Sequence, residues 1–441
     1  MTTVSGWGRF PVVDSEMLRP RSFEAVGEAV VAGSVARGNG RAYGDAAIGT
    51  ARTITMTAFD RVRSFDPVTG RIRVEAGVLL SDLIDTFGPR GFLPSVVPGT
   101  RFVSVGGAIA ADVHGKNHHC EGGFGRYVDS ILLRTGSGET IEASREQNSD
   151  AFFATVGGMG LTGVILEATM RLRPVETGWI RERVISASDL DAAMRALEAG
   201  DSATYSVAWI DCVARGRNLG RSLIYLGEHA GRDELAEGAV VFPVGKPPAL
   251  AVPLDLPSVT LNPTSVRAFN ELYYRVGARR AGGDHVVSLY PYFFPLDSLG
   301  GWNRIYGRRG FLQHQCVIPE AAAREVLGDI LDRVARRGDA SFLAVLKKLG
   351  HGDGLLSFPL PGYTLALDFP VNGDILTFLD EIDRLVVAAG GRLYLAKDSR
   401  QSRATFEAGY PALQRFKAIR KSLDPDGAIR SKLSQRLFDE V

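Results

Sequence analysis

The chain has 441 residues, more than one hydrophobic core usually serves, so two domains are expected. Hydrophobic residues make up 45% and charged residues 23%, which is typical of a globular protein and argues against disorder. Lysine and arginine total 51 against 50 aspartate and glutamate, so no global field is expected to gather nucleic acid.

Three cysteines lie far apart in the sequence, at Cys120, Cys212 and Cys316. Their odd number and wide spacing favour reduced, mostly buried thiols over a disulfide framework or a zinc site. Residues 1–7 lack the basic and apolar regions of a signal peptide, and no stretch reaches the roughly 20 apolar residues of a spanning helix. We therefore expect a cytoplasmic protein without a transmembrane segment, with at most peripheral contact at a membrane face.

Glycine is unevenly placed and clusters three times, in residues 33–49, 99–125 and 157–163. Glycine is required where the backbone adopts positive φ or comes close to a bulky ligand. Three such clusters in one N-terminal region predict a ligand that lies along several loops.

The N-terminal part is predicted to alternate short strands and helices. Residues 74–78 form a predicted strand, and Ser81 stands where a helix N-cap is expected, because an apolar pattern at helical spacing follows it. Residues 162–170 are predicted to form a long strand. The glycine-loop pattern ends near Pro174, which predicts a domain boundary there.

The later part predicts a repeated strand–helix–strand order. The predicted elements are strands at 311–318, 341–347, 363–369 and 392–396, with helices from about 319 to 337 and from about 375 to 389. This order is typical of a ferredoxin-like fold, an antiparallel sheet with helices on one face.

Two further segments have distinct patterns. Residues 241–263 are rich in proline without a sustained period, which predicts an irregular loop. Such a loop is often a lid or a binding element, and disorder is the alternative. Residues 406–437 are helical in pattern, with a turn at 423–427.

The first glycine loop, residues 36–45, follows a short apolar run. Backbone N–H groups on such a loop can surround a pyrophosphate, because missing side chains let oxygen atoms approach the chain. The spacing of Gly38, Gly40 and Gly44 does not fit the dinucleotide-binding fingerprint G-x-G-x-x-G. Taken alone, a glycine-rich turn is more often structural than ligand-binding. Three glycine-rich loops in one region favour an elongated cofactor over purely structural turns.

The glycine motifs resemble those of the vanillyl-alcohol-oxidase superfamily of FAD proteins. More specific motifs within the chain are similar to the family of decaprenylphosphoryl-β-D-ribose 2′-oxidases. They are His114-Gly115-Lys116-Asn117-His118-His119, Trp302-Asn303-Arg304, Phe311-Leu312-Gln313, Leu356-Ser357-Phe358-Pro359 and Ala396-Lys397-Asp398-Ser399-Arg400. The resemblance runs from Gly6 almost to the C-terminus and is weakest in residues 213–263.

This resemblance implies an α+β, two-domain vanillyl-alcohol-oxidase-type fold. Residues 1–175 are expected to form the FAD-binding domain, and residues 176–391 a ferredoxin-like antiparallel-sheet substrate domain that covers the flavin. Residues 392–441 are expected to return to the FAD-binding domain.

The resemblance also implies a set of FAD-binding residues from the glycine loops and their neighbours. They are Arg37, Gly38, Asn39, Gly40, Arg41, Ala42, Tyr43, Pro98, Gly99, Thr100, Val105, Gly106, Gly107, Ala110, His114, Gly115, Asn117, Gly157, Gly160, Gly163, Val164 and Lys397. Members that bind FAD covalently carry a histidine in the first loop, where Arg41 stands here. We therefore expect non-covalent FAD.

Three residues are expected to take part in catalysis, namely His114, Tyr43 and Lys397. Lys397 matches a family lysine near the pyrimidine end of the flavin, where positive charge favours electron uptake. A solvated lysine paired with Asp398 is the structural alternative. The general base is unassigned, with His114 and Tyr43 as candidates. Adjacent histidines lack the spacing of a helical metal pair, so no metal is expected.

The substrate is expected to meet residues from both halves of the second domain. Gln313 and Gln315 alternate with apolar neighbours and face one side of a strand, whereas the alternation of Lys347 and Lys348 leaves only Lys347 on the pocket side. The full set implied by the resemblance is Lys116, Trp209, Phe293, Gln313, Gln315, Lys347, Thr364 and Ala366. Phe293 stands where the family has tyrosine, and Ala366 where it has cysteine, so the pocket wall differs.

The resemblance implies FAD-dependent oxidation of a sugar secondary alcohol to a ketone, on a free or lipid-linked sugar. The leading substrate is polyprenylphosphoryl ribose, oxidised at its 2′-hydroxyl in the first half of an epimerisation that an NAD-dependent short-chain reductase would complete. A soluble alditol, aldonolactone, nucleoside or sugar oxidase on the same fold is the main alternative. A catalytically silent flavin-binding accessory protein is a further one.

Overall fold

The computed structural model describes residues 1–248, 250–257, 260–338 and 343–438. The N-terminal region contains ten strands and five helices. The strands are β1 Thr2–Ser5, β2 Val12–Leu18, β3 Ser34–Arg37, β4 Arg52–Thr55, β5 Val62–Phe65, β6 Arg71–Glu75, β7 Phe92–Pro94, β8 Val128–Thr135, β9 Thr140–Ser144 and β10 Gly163–Pro174. The helices are α1 Phe23–Ala29, α2 Leu80–Phe87, α3 Val105–Ala110, α4 His118–Glu121 and α5 Ser149–Thr155.

These strands form two sheets with apolar cores. The first has the order β1-β2-β4-β3, in which β4 runs parallel to both of its neighbours. The second has the order β5-β6-β10-β8-β9 and is antiparallel, with β7 paired to the end of β10. The long strand β10 confirms the prediction for residues 162–170.

The beginning of α2 differs from the prediction. The N-cap is Leu79 rather than Ser81, and Ser81 is buried in the first turn. The strand ends at Glu75, because the chain turns at Gly77, where a Cβ atom would lie 2.1 Å from the Met56 carbonyl oxygen. The Asp82 carboxylate accepts a hydrogen bond from the Leu79 backbone N–H and fixes the helix start two residues early.

In its described residues, the second region has ten more strands and five helices. The strands are β11 Trp179–Ala187, β12 Tyr205–Ile210, β13 Ser222–His229, β14 Leu250–Ala251, β15 Asp284–Ser288, β16 Leu299–Gly300, β17 Phe311–Pro319, β18 Ala344–Leu349, β19 Gly362–Pro370 and β20 Arg392–Leu393. The helices are α6 Leu190–Ala199, α7 Pro263–Ala278, α8 Leu289–Phe293, α9 Glu320–Arg337 and α10 Ile375–Ala388.

Eight of these strands form one antiparallel sheet, in the order β15-β11-β13-β12-β18-β19-β17-β20. Helices α6, α9 and α10 contribute to a shared apolar core with this sheet. The α+β class with antiparallel strands and covering helices is confirmed. The sheet joins two strand–helix–strand halves through β12 and β18, whereas the sequence patterns predicted only the second half.

Most predicted elements of this region are confirmed, with shifts at their ends. Pro319 is the N-cap of α9 rather than its first residue. The strand predicted at 392–396 has only two residues, because the Lys397 N–H bonds the Tyr394 carbonyl in a turn. Of the strand predicted at 341–347, residues 341 and 342 lie outside the described residues.

The segment predicted as an irregular loop is largely so. Within residues 241–263, β14 pairs with β16, and residues 249, 258 and 259 lie outside the described part. Helix α7, which the sequence patterns did not predict, begins directly after this segment with Asn262 as its N-cap.

The C-terminal segment forms three helices, α11 Arg403–Gly409, α12 Leu413–Leu423 and α13 Lys432–Leu437. Their apolar side chains share a core with Ala46, Ala154 and Leu161 of the N-terminal region. The Ser34 N–H donates to the Ala428 carbonyl, and the Arg430 N–H donates to the Ser34 carbonyl. The chain end therefore packs against the glycine-rich region. The domain boundaries at 175 and 391 stay a prediction.

Candidate active site

A cleft of about 560 Å³ lies between the N-terminal glycine loops and one face of the eight-stranded sheet. Its size falls within the range of small-molecule and cofactor sites. It brings together twenty-five of the residues expected at the site. They are Gly38, Asn39, Gly40, Arg41, Ala42, Tyr43, Pro98, Gly99, Thr100, Gly106, Gly107, Ala110, His114, Gly115, Lys116, Gly160, Gly163, Trp209, Phe293, Gln313, Gln315, Lys347, Thr364, Ala366 and Lys397.

Five residues expected at the cofactor do not line the cleft. The Arg37 guanidinium donates to the Ser5 and Ala47 carbonyls, and the Asn117 amide donates to the Ser95 carbonyl. The other three are Val105 and Val164, which are fully buried in apolar cores, and Gly157, which packs against Ser357. The structure thus does not bring these five residues to the cleft lining, and their contact with a cofactor stays a prediction.

One wall of the cleft is made largely of bare backbone, and is called the glycine wall. A Cβ atom on Gly38 would lie 2.0 Å from Ser104 Oγ, which caps helix α3 by accepting the Gly107 N–H. Apart from Gly99 itself and its chain neighbours, no heavy atom of the described residues lies within 4 Å of a Cβ built on Gly99. Glycine thus brings loops together at one point and leaves open space at another.

Arg41 extends from the first glycine loop between two aromatic rings. Its guanidinium carbon lies 4.1 Å from the Trp7 ring centroid and 5.3 Å from that of Phe102. Its Nε is buried without a hydrogen-bond partner. Burial lowers the pKa of Arg41, and the charge of Asp297 opposes that shift. A buried, unsatisfied cationic donor beside the glycine wall is suited to an anionic ligand.

The opposite wall, called the polar wall, is formed by one face of strands β17, β18 and β19 and by the turn that carries Lys397. In the strand register Gln313 is paired with Asp368, Gln315 with Ala366, and Lys347 with Thr364. The alternation of side chains along each strand places all of these on the cleft. Lys348 lies on the other face, where its Nζ donates to Asp201, so the prediction that only Lys347 faces the pocket is confirmed.

His114 is held from both sides by this wall. Lys347 Nζ lies 3.0 Å from His114 Nδ1, and Gln315 Nε2 lies 3.0 Å from His114 Nε2. Both neighbours present N–H donors, and a neutral imidazole accepts a hydrogen bond at only one of its two ring nitrogens. Burial, with the charges of Lys347, His118 and Lys397, lowers the pKa of His114 well below its usual value. The imidazole is therefore neutral.

Lys397 and Asp368 both line the cleft and interact electrostatically. Burial lowers the pKa of Lys397 to about 7, although the Asp368 charge opposes this. Burial also raises the pKa of Asp368 to about 7, against hydrogen bonds from Gln313 and Tyr306 and the charge of Lys397. The Lys397 ammonium lies 3.4 Å from the Tyr43 ring centroid. Burial, with the Asp368 charge, raises the pKa of Tyr43 well above its usual value.

Two more lysines face the cleft. Burial lowers the pKa of Lys116 to about 7 and that of Lys347 to about 8. The Lys116 Nζ donates to the Tyr292 carbonyl and lies 4.2 Å from the Tyr292 ring centroid. Near neutral pH these groups exchange protons readily, and an anion would favour their charged forms.

Asp368 was not among the expected site residues. It follows Thr364 and Ala366 at intervals of two on β19, so the alternation that selected those residues would also have selected Asp368. Phe269 and Tyr273 of α7 also line the cleft and were missed, because no motif links that helix to the pocket.

A buried ion-pair cluster joins the two walls from behind. Arg436 of α13 donates to both carboxylate oxygens of Asp45 and lies 2.9 Å from Asp398 Oδ2. Asp45 follows the first glycine loop, and Asp398 follows Lys397 directly. The Tyr43 N–H also donates to the Ala396 carbonyl. The C-terminal helix therefore fixes the Lys397 turn to the glycine wall.

Ala366 and Phe293, the two positions expected to differ from the family, both line the cleft. Ala366 lines the cleft between Gln315 and Val345 of neighbouring strands. Phe293 packs edge-on against Tyr205, with ring centroids 4.8 Å apart. Cys212 and Cys316 are buried, and Cys120 is exposed.

His118 and His119 point to different partners. His118 Nδ1 accepts the Gly350 N–H, and His119 Nε2 lies 2.9 Å from the Ala203 carbonyl oxygen. Among the described residues, no group of three histidine, cysteine, aspartate or glutamate side chains could hold a metal ion. In the same part of the chain, no helix is both long and apolar enough to cross a membrane.

A two-domain α+β fold with a glycine-lined cofactor cleft defines the class of FAD-linked oxidoreductases. The family model for an FAD binding domain matches residues 19–144, and that for D-arabinono-1,4-lactone oxidase matches residues 365–437.

Relatives among known proteins narrow this class. A decaprenylphosphoryl-β-D-ribose oxidase of Mycolicibacterium smegmatis is 40% identical, covering 98% of this chain and 96% of that protein. An uncharacterized protein of Streptomyces coelicolor is 35% identical, covering 82% of this chain and 100% of that protein. An L-gulonolactone oxidase of Bos taurus is 25% identical, covering 91% of this chain and 88% of that protein. The chain belongs to the decaprenylphosphoryl-β-D-ribose oxidase family and is an FAD-dependent oxidoreductase.

Proposed function

We propose that this enzyme oxidises the 2′-hydroxyl of a polyprenylphosphoryl ribose to a ketone, as the first half of an epimerisation. The observation that carries the proposal is that a glycine wall and a polar wall face each other across one cleft, which three buried lysines line. The full-length similarity to a relative named for this sugar supports the substrate class.

The residues of the cleft fit FAD. The bare backbone of residues 38–43 and the unsatisfied Nε of Arg41 would hold the pyrophosphate, and residues 98–107 would flank the rest of the cofactor. FAD, when bound, supplies the acceptor for the hydride that leaves the carbinol carbon. Arg41 stands where covalent members carry histidine, which supports a dissociable cofactor. His114 is the one histidine among the described cleft-lining residues, and both of its ring nitrogens have partners.

Lys397 Nζ is the group best suited to take up the hydroxyl proton. A general base works best when its pKa lies near the working pH, and the pKa of Lys397 is about 7. Tyr43 stays protonated, and the Nδ1 of His114 is occupied by Lys347, so both earlier candidates are weaker bases. Once protonated, Lys397 carries the positive charge that favours a reduced flavin.

The remaining polar groups of the cleft fit the sugar ring and the phosphate of the substrate. Gln313 and Gln315 present amides that can bind ring hydroxyls, and Trp209 provides an apolar wall. Lys116 and Lys347 would bind the phosphate, whose charge would hold both lysines in their protonated form.

A soluble lactone, alditol or nucleoside oxidase is the second candidate. Its support is the D-arabinono-1,4-lactone oxidase match over residues 365–437, which include Ala366, Asp368 and Lys397. Replacement of the family cysteine and tyrosine by Ala366 and Phe293 also alters the wall that would select the sugar.

We also propose a cytoplasmic site of action, peripheral at the membrane face. An NAD-dependent short-chain reductase would return the ketone with inverted configuration. The reductase partner rests on the family resemblance.

Anaerobic titration of the holoenzyme with candidate sugars tests the function. The flavin absorbance is expected to bleach with polyprenylphosphoryl ribose and to stay unchanged with free alditols and aldonolactones. Bleaching by a soluble lactone alone would favour the second candidate. A protein that stays colourless after incubation with FAD would favour an accessory role.

A further inference from the structure

Helix α7 has an unusual distribution of apolar side chains. Its buried residues are only Val266 and Asn270, whereas Phe269, Leu272, Tyr273 and Val276 are exposed. These four are spaced at i, i+3, i+4 and i+7, so they form one continuous stripe, called the α7 stripe. A helix on a globular surface usually turns such a stripe towards the core. Here the stripe faces outwards.

The α7 stripe is continuous with the mouth of the cleft. Phe269 and Tyr273 line the cleft, whereas Leu272 and Val276, on the neighbouring side of the same helix, do not. The Tyr273 ring centroid lies 4.8 Å from that of Trp209, which is also in the cleft. A ligand leaving the pocket on this side would therefore pass directly onto the exposed apolar surface.

Positive charge borders the stripe on its other side. Residues 263–283 contain Arg267, Arg275, Arg279 and Arg280 and a single acidic residue, Glu271. All four arginines are exposed, and Glu271 is bonded by Arg221 and Arg275. On the helical wheel, Arg275 and Arg279 follow the stripe on the side away from Tyr273. This order, from cleft to apolar stripe to arginine, matches the acyl-to-headgroup order of an anionic lipid surface.

Exposed apolar residues also lie near a second part of the cleft lining. Pro295 and Leu296 line the cleft just before β16, and β16 pairs with β14. Leu250 in β14 and Leu254 are exposed. The exposed apolar surface near the cleft is therefore not confined to α7.

We propose that the α7 stripe is a docking surface that inserts into the headgroup–acyl boundary of an anionic membrane and turns the mouth of the cleft towards the bilayer. The proposal deepens the proposed function, on which it rests, because a lipid-linked sugar could then enter the cleft without its chain crossing water. Aromatic side chains with flanking arginines are the composition of interfacial helices.

Vesicle binding by the holoenzyme tests the docking surface. The probe is vesicles of phosphatidylglycerol and phosphatidylcholine in equal parts, with phosphatidylcholine alone for comparison. The disrupted variant is Leu272→Glu with Val276→Glu, at side chains that are 64% and 50% exposed and lie outside the cleft lining. The matched control is Val12→Glu with Val68→Glu, at side chains that are 57% and 90% exposed on the N-terminal region.

The disrupted variant is expected to bind anionic vesicles at least about tenfold more weakly than the parent protein, and the control as well as the parent. Phosphatidylcholine vesicles are expected to bind the parent more weakly, because they offer the arginines no net negative charge. A parent protein that does not bind anionic vesicles, or a disrupted variant that binds like the parent, overturns the proposal. So does light scattering that shows a parent dimer and a monomeric variant, since the stripe would then be covered by a second copy.

Flavin bleaching distinguishes failure of the docking proposal from failure of the proposed function. With a short-chain, water-soluble phosphoryl ribose, the disrupted variant is expected to bleach at the same rate as the parent. Lost vesicle binding with intact bleaching supports docking. Vesicle binding by a protein that no ribose substrate bleaches would leave docking standing and refute the function.

Discussion

The glycine wall and the polar wall enclose the same cleft but are built in different ways. The glycine wall comes from loops whose residues lack side chains, such as Gly38 and Gly99, and its ligand-binding groups are backbone N–H donors. The polar wall comes from adjacent strands, whose register sets the positions of Gln313, Asp368 and Lys347. The first wall can hold a cofactor through shape, and the second can move protons because burial shifts its pKa values towards neutrality.

Replacing Lys397 by alanine should impair the function of the polar wall more than any other change. Loss of the proposed base is expected to slow anaerobic flavin reduction by substrate about 1,000-fold, within the usual range for a general acid–base group. Rapid-mixing absorbance measures this rate. Lys397→Arg is the matched control, because it keeps the positive charge but cannot take up the proton. Recovery of the rate with arginine would mean that charge alone matters.

Arg436→Met should weaken the joint between the two walls. It leaves the buried carboxylates of Asp45 and Asp398 without their cation, at an expected cost of about 2–4 kcal/mol in the free energy of unfolding. The pKa of Asp398 is lowered in the folded protein despite its burial, by the charges of Arg436 and Arg400. The stability that Arg436 provides is therefore present above the unfolded pKa of aspartate and is lost as pH falls.

The loss in Arg436→Met should accordingly be larger at about pH 8 than at about pH 4, measured by urea unfolding of the FAD-saturated protein. Arg415→Met is the control, because the Arg415–Asp150 pair is exposed and should contribute little. Equal losses in both variants would refute the role of Arg436 as a joint.

Gly99→Val should impair FAD binding at the glycine wall without destabilising the fold. Apart from its chain neighbours, no heavy atom of the described residues lies within 4 Å of the new Cβ, so the side chain would occupy space proposed for FAD. The affinity for FAD, measured by fluorescence titration of the apoprotein, is expected to fall about 10- to 100-fold, equivalent to an overpacking cost of 1–3 kcal/mol. Gly283→Val, at an equally open position away from the cleft, should bind FAD normally. Unchanged FAD affinity in Gly99→Val would contradict the proposed cofactor path.

Asp368→Asn tests whether Lys397 or Asp368 is the general base in the polar wall. The Asp368 charge raises the pKa of Lys397, so its removal should lower that pKa further. The acid limb of the pH profile of flavin reduction reports protonation of the base, and it should move down by about one pH unit. Disappearance of the limb would instead identify Asp368 as the base.

Ala366→Cys should have the smallest effect. It restores the family's residue beside Gln315, yet hydride transfer to a flavin requires no thiol. The rate of flavin reduction is expected to change less than about twofold, since the side chain only alters packing at the wall. A large gain with one sugar and not another would show that this position selects the substrate.

The same two walls show how far sequence patterns lead. Local motifs identified the glycine loops and the face of β17, because strand alternation decides which side Gln313 and Gln315 occupy. The motifs also included Val105 and Val164, which are next to lining residues but point into the core. Motif membership alone does not give side-chain direction.

The contacts that the sequence patterns did not predict join residues that are distant in the chain. Arg436 reaches Asp45 across nearly the whole sequence, and Tyr273 meets Trp209 only after α7 packs beside the sheet. No local period encodes either contact. Asp368 is different, because the alternation on β19 could have revealed it.

A crystal structure of the FAD complex tests the central claim most directly. In that complex we expect a pyrophosphate on the backbone of residues 38–43 and a flavin ring between the glycine wall and the polar wall, with Lys397 Nζ within hydrogen-bond reach of the ring. A flavin bound elsewhere, or a cleft closed by packed side chains with Lys397 turned to solvent, would contradict it.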